Sequence, residues 1–330
     1  MKRREFISIV GGAGAAWPMV AWAQQERMRR VAVLAPFDNN DPEAQRLLGA
    51  FKQRLVSHGW TDGRNLSIEY RFAGGSAENI RAVAKELVAA TPDIIFAASN
   101  VSVAPLQQAT TTIPIVFVNA SDPVGSSFVA SLARPGGNIT GFQGFEPAIG
   151  GKWLEVLREV APKVRRVAVI LNPNVTANVA FLRAAETAAA SSGVAITAAG
   201  VRDAADIENI LTAFAKEPNG GVIVTPSPLT NTADKSKLII SLVAQLQLPA
   251  IYPYRLSAAS SGLISYAYDQ TAQWQGSASY VDRILRGAKP SELPVQAPIK
   301  YEMVINLKIA KALDIVVPPT LLARADEVIE

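Results

Sequence analysis

Side chains able to hold a small polar molecule gather in this chain at one recurrent kind of place, the few residues that follow a short β-branched run. In the first half these are Phe37-Asp38-Asn39-Asn40, Ser99-Asn100 and Asn119-Ala120-Ser121-Asp122-Pro123. In the second half they are Asn172-Pro173-Asn174 with Thr176, Thr225-Pro226-Ser227, Tyr252-Pro253-Tyr254-Arg255, and Tyr266 to Asp269. Hydroxyls, amides, tyrosines and a few charges suit hydrogen bonding to a zwitterion or another small polar ligand. They do not compose a catalytic machine. The one histidine, His58, precedes Gly59 where a helix should end, and its charge favours a helix C-terminus. Histidine triads and multi-histidine metal sites are thereby disfavoured. Cysteine is absent, which removes disulfides, thiolate metal sites and a thiol nucleophile. No GxxxxGK[ST] phosphate loop occurs, and Gly136-Gly137 and Gly141 lack dinucleotide-fingerprint spacing.

Ser99, Asn100, Asn119, Asp122, Asn172, Thr176, Ser227, Tyr254 and Asp269 are the residues expected to line a ligand cleft. Backbone N–H groups at the helix starts after Ser99 and Asn174 would receive a carboxylate, with Asp269 or Asp122 facing an ammonium. Every one of these residue types also has a purely structural use. Asn, Ser and Asp after a strand cap the next helix or close a turn, and Asp122 before Pro123 fits that role. Arg255 is read either as a carboxylate clamp or as a solvated surface arginine. Tyr252, Tyr254, Tyr266 and Tyr268 sit at strand ends where a ring can stack on a ligand, whereas Trp60, Trp153 and Trp274 fall in or beside helices and should pack in cores. No metal and no cofactor is called for.

The elements that must carry these loops are written twice. Arg29-Arg30-Val31-Ala32-Val33-Leu34 ending in Pro36 returns as Arg165-Arg166-Val167-Ala168-Val169-Ile170 ending in Pro173. Pro92-Asp93-Ile94-Ile95-Phe96 is answered by Gly220-Gly221-Val222-Ile223-Val224, and Thr112 to Val116 by Leu248 to Tyr252. Runs of this kind alternating with helical stretches give parallel sheets covered on both faces. The spacing predicts strands at 30–35, 65–71, 93–98 and 114–119 with helices at 42–58, 77–90 and 102–110. A turn-rich connector, Arg134 to Asn138, leads to a short run at 139–143 and a helix at 149–160. The second half predicts strands at 166–171, 194–199, 221–225, 249–253 and 262–267. Its helices are expected at 177–191, 204–216, 231–246 and 271–285, with one more over 304–313. In open parallel sheets ligands bind beyond the carboxyl ends of the strands.

Residues 1–23 read as a targeting segment. Lys2-Arg3-Arg4-Glu5-Phe6-Ile7 is a paired-arginine start, Ser8 to Trp22 is a Gly-interrupted apolar stretch, and Ala21-Trp22-Ala23 is a small-x-small cleavage site. At about 15 residues the apolar stretch is too short to span a bilayer. Lys2, Arg3, Arg4 and Glu5 account for +2 of the formal net charge of +4, so the remainder is close to neutral. A surface so little charged has no large footprint for nucleic acid. The expectation is an exported, periplasmic, monomeric protein.

Several stretches carry a resemblance. Ala98-Ser99-Asn100, Ile113 to Asn119 with Ser121-Asp122-Pro123-Val124-Gly125, and Leu132-Ala133-Arg134-Pro135-Gly136-Gly137-Asn138-Ile139-Thr140-Gly141 resemble the tryptophan/tyrosine-type substrate-binding proteins of ABC transporters. The tail from Ile284 to Pro290, Leu293-Pro294, Asn306 to Leu313, Pro318-Pro319 and Arg324 to Ile329 is similar to the end of that family. The resemblance implies a type 1 periplasmic-binding-protein fold, α/β with two Rossmann-like lobes joined by three crossovers, which closes on a ligand and delivers it to a membrane permease. By that topology lobe 1 takes residues 29–143 plus 262–288 and lobe 2 takes 144–261 plus 289–330. Hinges would fall near Phe142-Gln143, Ala258 to Gly262 and Lys289 to Leu293. The ligand implied is an amino acid, often aromatic, or a related carboxylate. Two other readings stay open from the residues alone: an exported carboxylate-dependent hydrolase, and a sensory module serving a membrane receptor.

Overall fold

The computed structural model describes residues 28–330 except 228, 229, 231 and 232, so the leader expected over 1–23 lies outside the described residues. The first sheet has five parallel strands in the order β2-β1-β3-β4-β5. These are β1 (Arg29–Ala35), β2 (Leu66–Phe72), β3 (Ile94–Ala98), β4 (Ile115–Ala120) and β5 (Ile139–Gln143). The second sheet has seven strands in the order β12-β11-β10-β9-β8-β6-β7. They are β6 (Arg166–Leu171), β7 (Ala195–Gly200), β8 (Gly220–Val224), β9 (Ala250–Tyr252), β10 (Ile264–Tyr268), β11 (Tyr301–Asn306) and β12 (Glu327–Ile329). Its strands β6 to β10 repeat the order of the first sheet, and β11 joins antiparallel to β10. β3 and β8 are buried at every residue, as unbroken apolar runs in a twice-covered sheet must be.

Helices cover both faces of each sheet. In the first half they are α1 (Pro42–Ser57), α2 (Ala77–Ala89) and α3 (Asn100–Ala109). The second half supplies α4 (Ile149–Val160), α5 (Thr176–Ala190), α6 (Ala204–Phe214), α7 (Ala233–Gln245), α8 (Arg255–Ala259), α9 (Gln270–Leu285), α10 (Leu307–Ala312) and α11 (Pro319–Leu322). Local chemistry sets their starts. Asp41 accepts the N–H groups of Glu43 and Ala44 with Pro42 at the first position, and Ser76 accepts that of Asn79. His58 ends α1, near the Asp282 carboxylate at 3.7 Å and the Ser279 hydroxyl at 3.1 Å on α9. That is the structural role its position implied. No helix among the described residues is long and apolar enough to cross a membrane.

The two lobes exchange helices. After β5 the chain leaves the first sheet and α4 packs in the core of the second lobe, where Trp153 and Leu157 join Val167, Val169 and Phe181. After β10 it returns, and α9 buries Trp274, Ala278 and Val281 against Val31, Phe96 and Val118 of the first sheet. The strand expected to begin lobe 1's second piece at 262 therefore belongs to the second sheet, where Ile264 registers with Ile251 of β9. It is that sheet's fifth strand, the counterpart of β5, and the crossing falls at Asp269 instead of between Ala258 and Gly262.

The hinge expected between Lys289 and Leu293 is also displaced. Pro290–Glu292 is a 3-10 turn, and Leu293 packs in the first-lobe core. Gln296 still bonds β5, with its N–H on Gly141 O at 3.0 Å and its carbonyl accepting from Gln143 N at 2.8 Å. The last crossing is thus 297–300. The helix predicted over 304–313 starts as strand and turns helical only from Leu307: Tyr301-Glu302-Met303-Val304-Ile305 pairs with β10, and Asn306 Oδ1 then caps α10 through Ile309 N.

Candidate functional site

Both sheets turn their carboxyl ends toward the first crossing. A Cβ built on Gly144, just beyond β5, would lie 3.1 Å from the Tyr268 hydroxyl at the end of β10 and 3.3 Å from the Asn119 backbone at the end of β4. A side chain there would push its neighbours back by a few tenths of an ångström.

The first-lobe rim is strained and polar. Ser99, Asn119 and Asp122 have φ of 67°, 58° and 46°, in the left-handed region that non-glycine residues avoid. Such residues cost on the order of 1–3 kcal/mol each and persist where the surroundings impose them. A register shift between Val118 and Ala120 displaces Asn119 from the regular ladder. Ser99 precedes α3 without capping it through its side chain. Its Oγ, the Asn119 Oδ1 and the Ser102 Oγ on the first turn of α3 are all buried with no hydrogen-bond partner among the described residues. Each such orphan costs about 1–3 kcal/mol of desolvation. Three on one rim mark a place where an incoming donor or acceptor would be welcome.

Asn100 is used differently from its expected role. Its Nδ2 donates to Ser121 O at 2.8 Å and to Ser126 Oγ at 3.1 Å, and its Oδ1 accepts from Ser121 N at 2.8 Å. The side chain staples the loop after β3 to the loop after β4. Asp122 closes a turn onto Gly125 N at 3.0 Å. Its carboxylate lies so near the Gly125 Cα that a Cβ there would meet Oδ2 at 2.1 Å, which accounts for glycine at the end of Ser-Asp-Pro-Val-Gly.

The second-lobe rim is aromatic. Phe145, the second residue past β5, touches Tyr268 at 4.6 Å between ring centroids, Trp153 at 5.2 Å, Tyr254 at 5.8 Å and Phe181 at 6.4 Å. Tyr266 and Tyr301 stack beside it at 5.5 Å with 15° between planes. Burial raises the Tyr301 hydroxyl to about 12, and the nearby Glu146 carboxylate adds to the shift. Burial also lifts Tyr268 well above the ordinary phenol value, helped by Tyr254 and opposed by a hydrogen bond with Gln270. Both hydroxyls are neutral donors at physiological pH. Phe145, Glu146 and Tyr301 were not among the expected residues. Their signal was available for the first two, since they follow directly on the predicted run 139–143.

The other expected residues of this lobe are mostly structural. Asn172 Oδ1 accepts from Asn174 N at 3.0 Å, and its own N–H goes to Asn178 Oδ1 at 2.9 Å. Asn178, fully buried and absent from the expected set, also reaches Pro226 O at 2.8 Å and Thr225 Oγ1 at 3.1 Å. It is this lobe's staple, as Asn100 is the other's. Ser227 is turned inward, exchanging hydrogen bonds with Thr230. Thr176 opens α5 and is exposed. Arg255 pairs with Glu327 at 2.6 Å rather than facing the rim. Asp269 caps α9 through Ala272 N at 3.0 Å, at the point where the chain crosses between lobes. The geometry thus brings Asn119 of one lobe and Tyr268 of the other to Gly144, with Tyr254 against Phe145 and Ser99 at the head of α3.

The two exchanged α/β lobes thus carry orphaned polar atoms at the head of α3 and the end of β4, and an aromatic cluster just past β5. The family model described as ABC transporter substrate binding protein matches residues 30–329. The chain belongs to that family. As a substrate-binding protein it is not an enzyme. A tyrosine-binding protein of Clostridioides difficile (strain R20291) is 25% identical over 274 residues, 83% of this chain and 78% of that protein. A conserved domain protein of Vibrio cholerae superposes with a TM-score of 0.84 at 26% identity, covering 92% of this chain and all of its own. A Streptococcus pneumonia ABC domain solved in complex with L-Trp gives the same TM-score at 22% identity, covering 91% and 99%. The type 1 periplasmic-binding-protein fold is shared with these structures.

Proposed function

We propose that this substrate-binding protein captures an amino acid, aromatic in its side chain, between its lobes and hands it to an inner-membrane permease for import. The observation that carries the reading is that Asn119, whose Oδ1 is buried without a partner, meets Tyr268 across Gly144, with Phe145 and Tyr254 packed beside it and the partnerless Ser99 Oγ at the head of α3. The carboxylate is received at the start of α3, where first-turn N–H groups and the Ser99 hydroxyl converge. The ammonium faces Asn119 Oδ1, with Asp269 at the crossing supplying negative charge. The ligand's ring lies against the tyrosine rings. The names of the tyrosine-binding relative and of the L-Trp complex support this ligand class. Asn100, Asp122, Asn172 and Ser227 hold the loops, and Thr176 lines the outer mouth.

Contacts to both rims exist only with the lobes together, so ligand favours closure and closure is the signal to the permease. Capture takes place in the periplasm, reached through the paired-arginine leader and its removal after Ala23. Isothermal titration with L-tyrosine, L-tryptophan, small carboxylates and sugars tests the ligand class. Micromolar or tighter binding of an aromatic amino acid, weakened roughly tenfold by Asn119→Gly, is the expected result. Tight binding of a sugar with the aromatic amino acids inert would sink the assignment.

A further inference from the structure

Gln273, on the first turn of α9, is only 6% exposed, and its Oε1 is buried with no donor among the described residues. Glutamine is seldom so deeply buried, and a buried acceptor left unpaired is costly to the free protein.

Its place follows from the packing of α9 on β5. The Phe142 ring stands 4.9 Å from that of Tyr280 between centroids, and a Cβ built on Gly276 would meet it at 2.5 Å. Two residues back along β5, Thr140 Oγ1 donates to Leu293 O, which lies beyond the far end of α9. Helix and strand therefore run in opposite directions, and a step along β5 toward Gly144 is a step along α9 toward its head. Gln273 shares the inward face of the helix with Gly276, Ser277 and Tyr280, at three, four and seven residues' distance. Three residues of helix rise about 4.5 Å and two of strand about 6.6 Å. That sets Gln273 level with Gln143 and Gly144, at the crossing where Asn119 meets Tyr268. Its neighbour Trp274 packs in one cluster with Val118, the residue before Asn119.

We infer that Gln273 binds the ligand's ammonium, as the second neutral acceptor after Asn119. The inference rests on the cleft being an amino-acid site, and it adds the residue that makes the amine obligatory. Asn119 Oδ1 and Gln273 Oε1 are both amide oxygens, which only accept, and both lack a donor. An ammonium carries three N–H donors on one atom and can serve both, where a hydroxyl has one to give. The bonds it makes are charge-assisted, so uncharged acceptors suffice to hold it. A ligand of the same shape without the amine would leave both oxygens buried and unpaired, which is how a site rejects a close analogue.

Calorimetric titration of L-tryptophan, and of indole-3-propionate by displacement, tests this on the wild-type protein and on Gln273→Leu. The two compounds differ only in the ammonium. L-tyrosine and its des-amino analogue form a second pair. Leucine removes the acceptor and keeps most of the bulk, so the melting temperature of the ligand-free protein should hold or rise. Affinity for the amino acid should fall roughly tenfold, and that for the des-amino analogue by less than about twofold. Equal losses for the two members of a pair, or an unchanged affinity for the amino acid, would overturn the role of Gln273 and leave the cleft an amino-acid site. A wild-type protein that binds no member of either pair would overturn the reading of the cleft and this role with it. Gln273→Met, unbranched and of similar length, decides if the leucine variant folds poorly.

Discussion

At the cleft edge of the first lobe, Ser99, Asn119 and Asp122 hold left-handed backbone, and two of their side-chain oxygens are buried without partners. At the facing edge of the second lobe, Phe145, Tyr254 and Tyr268 form one aromatic cluster continuous with Trp153 and Phe181 of the core. The strand order beneath both is the same. One rim is therefore costly to the free protein and the other stabilises it. Strain and orphaned groups are tolerated where a ligand relieves them, while a wall of rings is part of the lobe's own packing whether or not anything is bound.

If that division is right, Phe145→Ala should be the most damaging substitution at the site. Loss of a fully buried phenylalanine costs about 3–5 kcal/mol. Urea denaturation should show a fall of that size, confined to the second lobe if the lobes unfold separately. A loss under about 1 kcal/mol would mean that the wall is a ligand surface only.

The two staples give a finer test. Asn178→Ala strands the Asn172 N–H and the Pro226 carbonyl in the second lobe, each lost partner costing about 1–3 kcal/mol, while the Thr225 hydroxyl keeps its bond to Ile170 O. Asn100→Ala does the same to Ser121 and Ser126, but in a partly solvated loop that carries Asp122. Thermal unfolding should punish Asn178→Ala more, and ligand titration should punish Asn100→Ala more. Equal effects in both measurements would erase the distinction between a packed rim and a poised one.

Much of this was readable before any coordinates. The echo of Arg29–Leu34 in Arg165–Ile170 specified both sheets, and residue types at strand ends located the rims. Which amide is left without a partner was not readable. Asn100 opens α3 and spends both polar ends on the loop after β4, whereas Asn119, displaced by the register shift at the end of β4, leaves its Oδ1 buried without a partner. β10 was set in the wrong lobe because the implied topology was followed over the repeat, which calls for a fifth strand in each half. Val304–Leu313 was taken as one helix because its apolar spacing hides the Asn306 cap in the middle. Phe145 and Glu146, between the run at 139–143 and the helix at 149–160, were given no reading, although the carboxyl-end rule reaches them.

Ser99→Ala separates cost from use on the polar rim. The hydroxyl has no partner in the free protein, so its removal should leave stability unchanged or raise it slightly. Affinity should fall by about 0.5–1.5 kcal/mol, several-fold in Kd, if the ligand supplies the missing bond. A stability loss with unchanged affinity would place the hydroxyl in the scaffold.

The smallest expected effect concerns pH. Tyr301, in the aromatic rim, has its pKa raised from 10.0 to about 12 by burial first and by Glu146 second. Because the folded value lies above the unfolded one, the neutral phenol contributes stability that is fully present below about pH 10. Between there and about pH 12 the unfolded chain releases this proton while the folded one keeps it, so stability falls as pH rises through the window. Tyr70, at the outer edge of the first sheet, is raised to about 12 by burial and Asp62, and acts in the same direction. Tyr301→Phe and Tyr70→Phe should each flatten the alkaline limb of a melting-temperature profile. Ligand should protect against alkaline loss through Tyr301 and not through Tyr70, since only the former stands at the cleft. Equal protection at both would show that closure tightens the whole molecule rather than the rim.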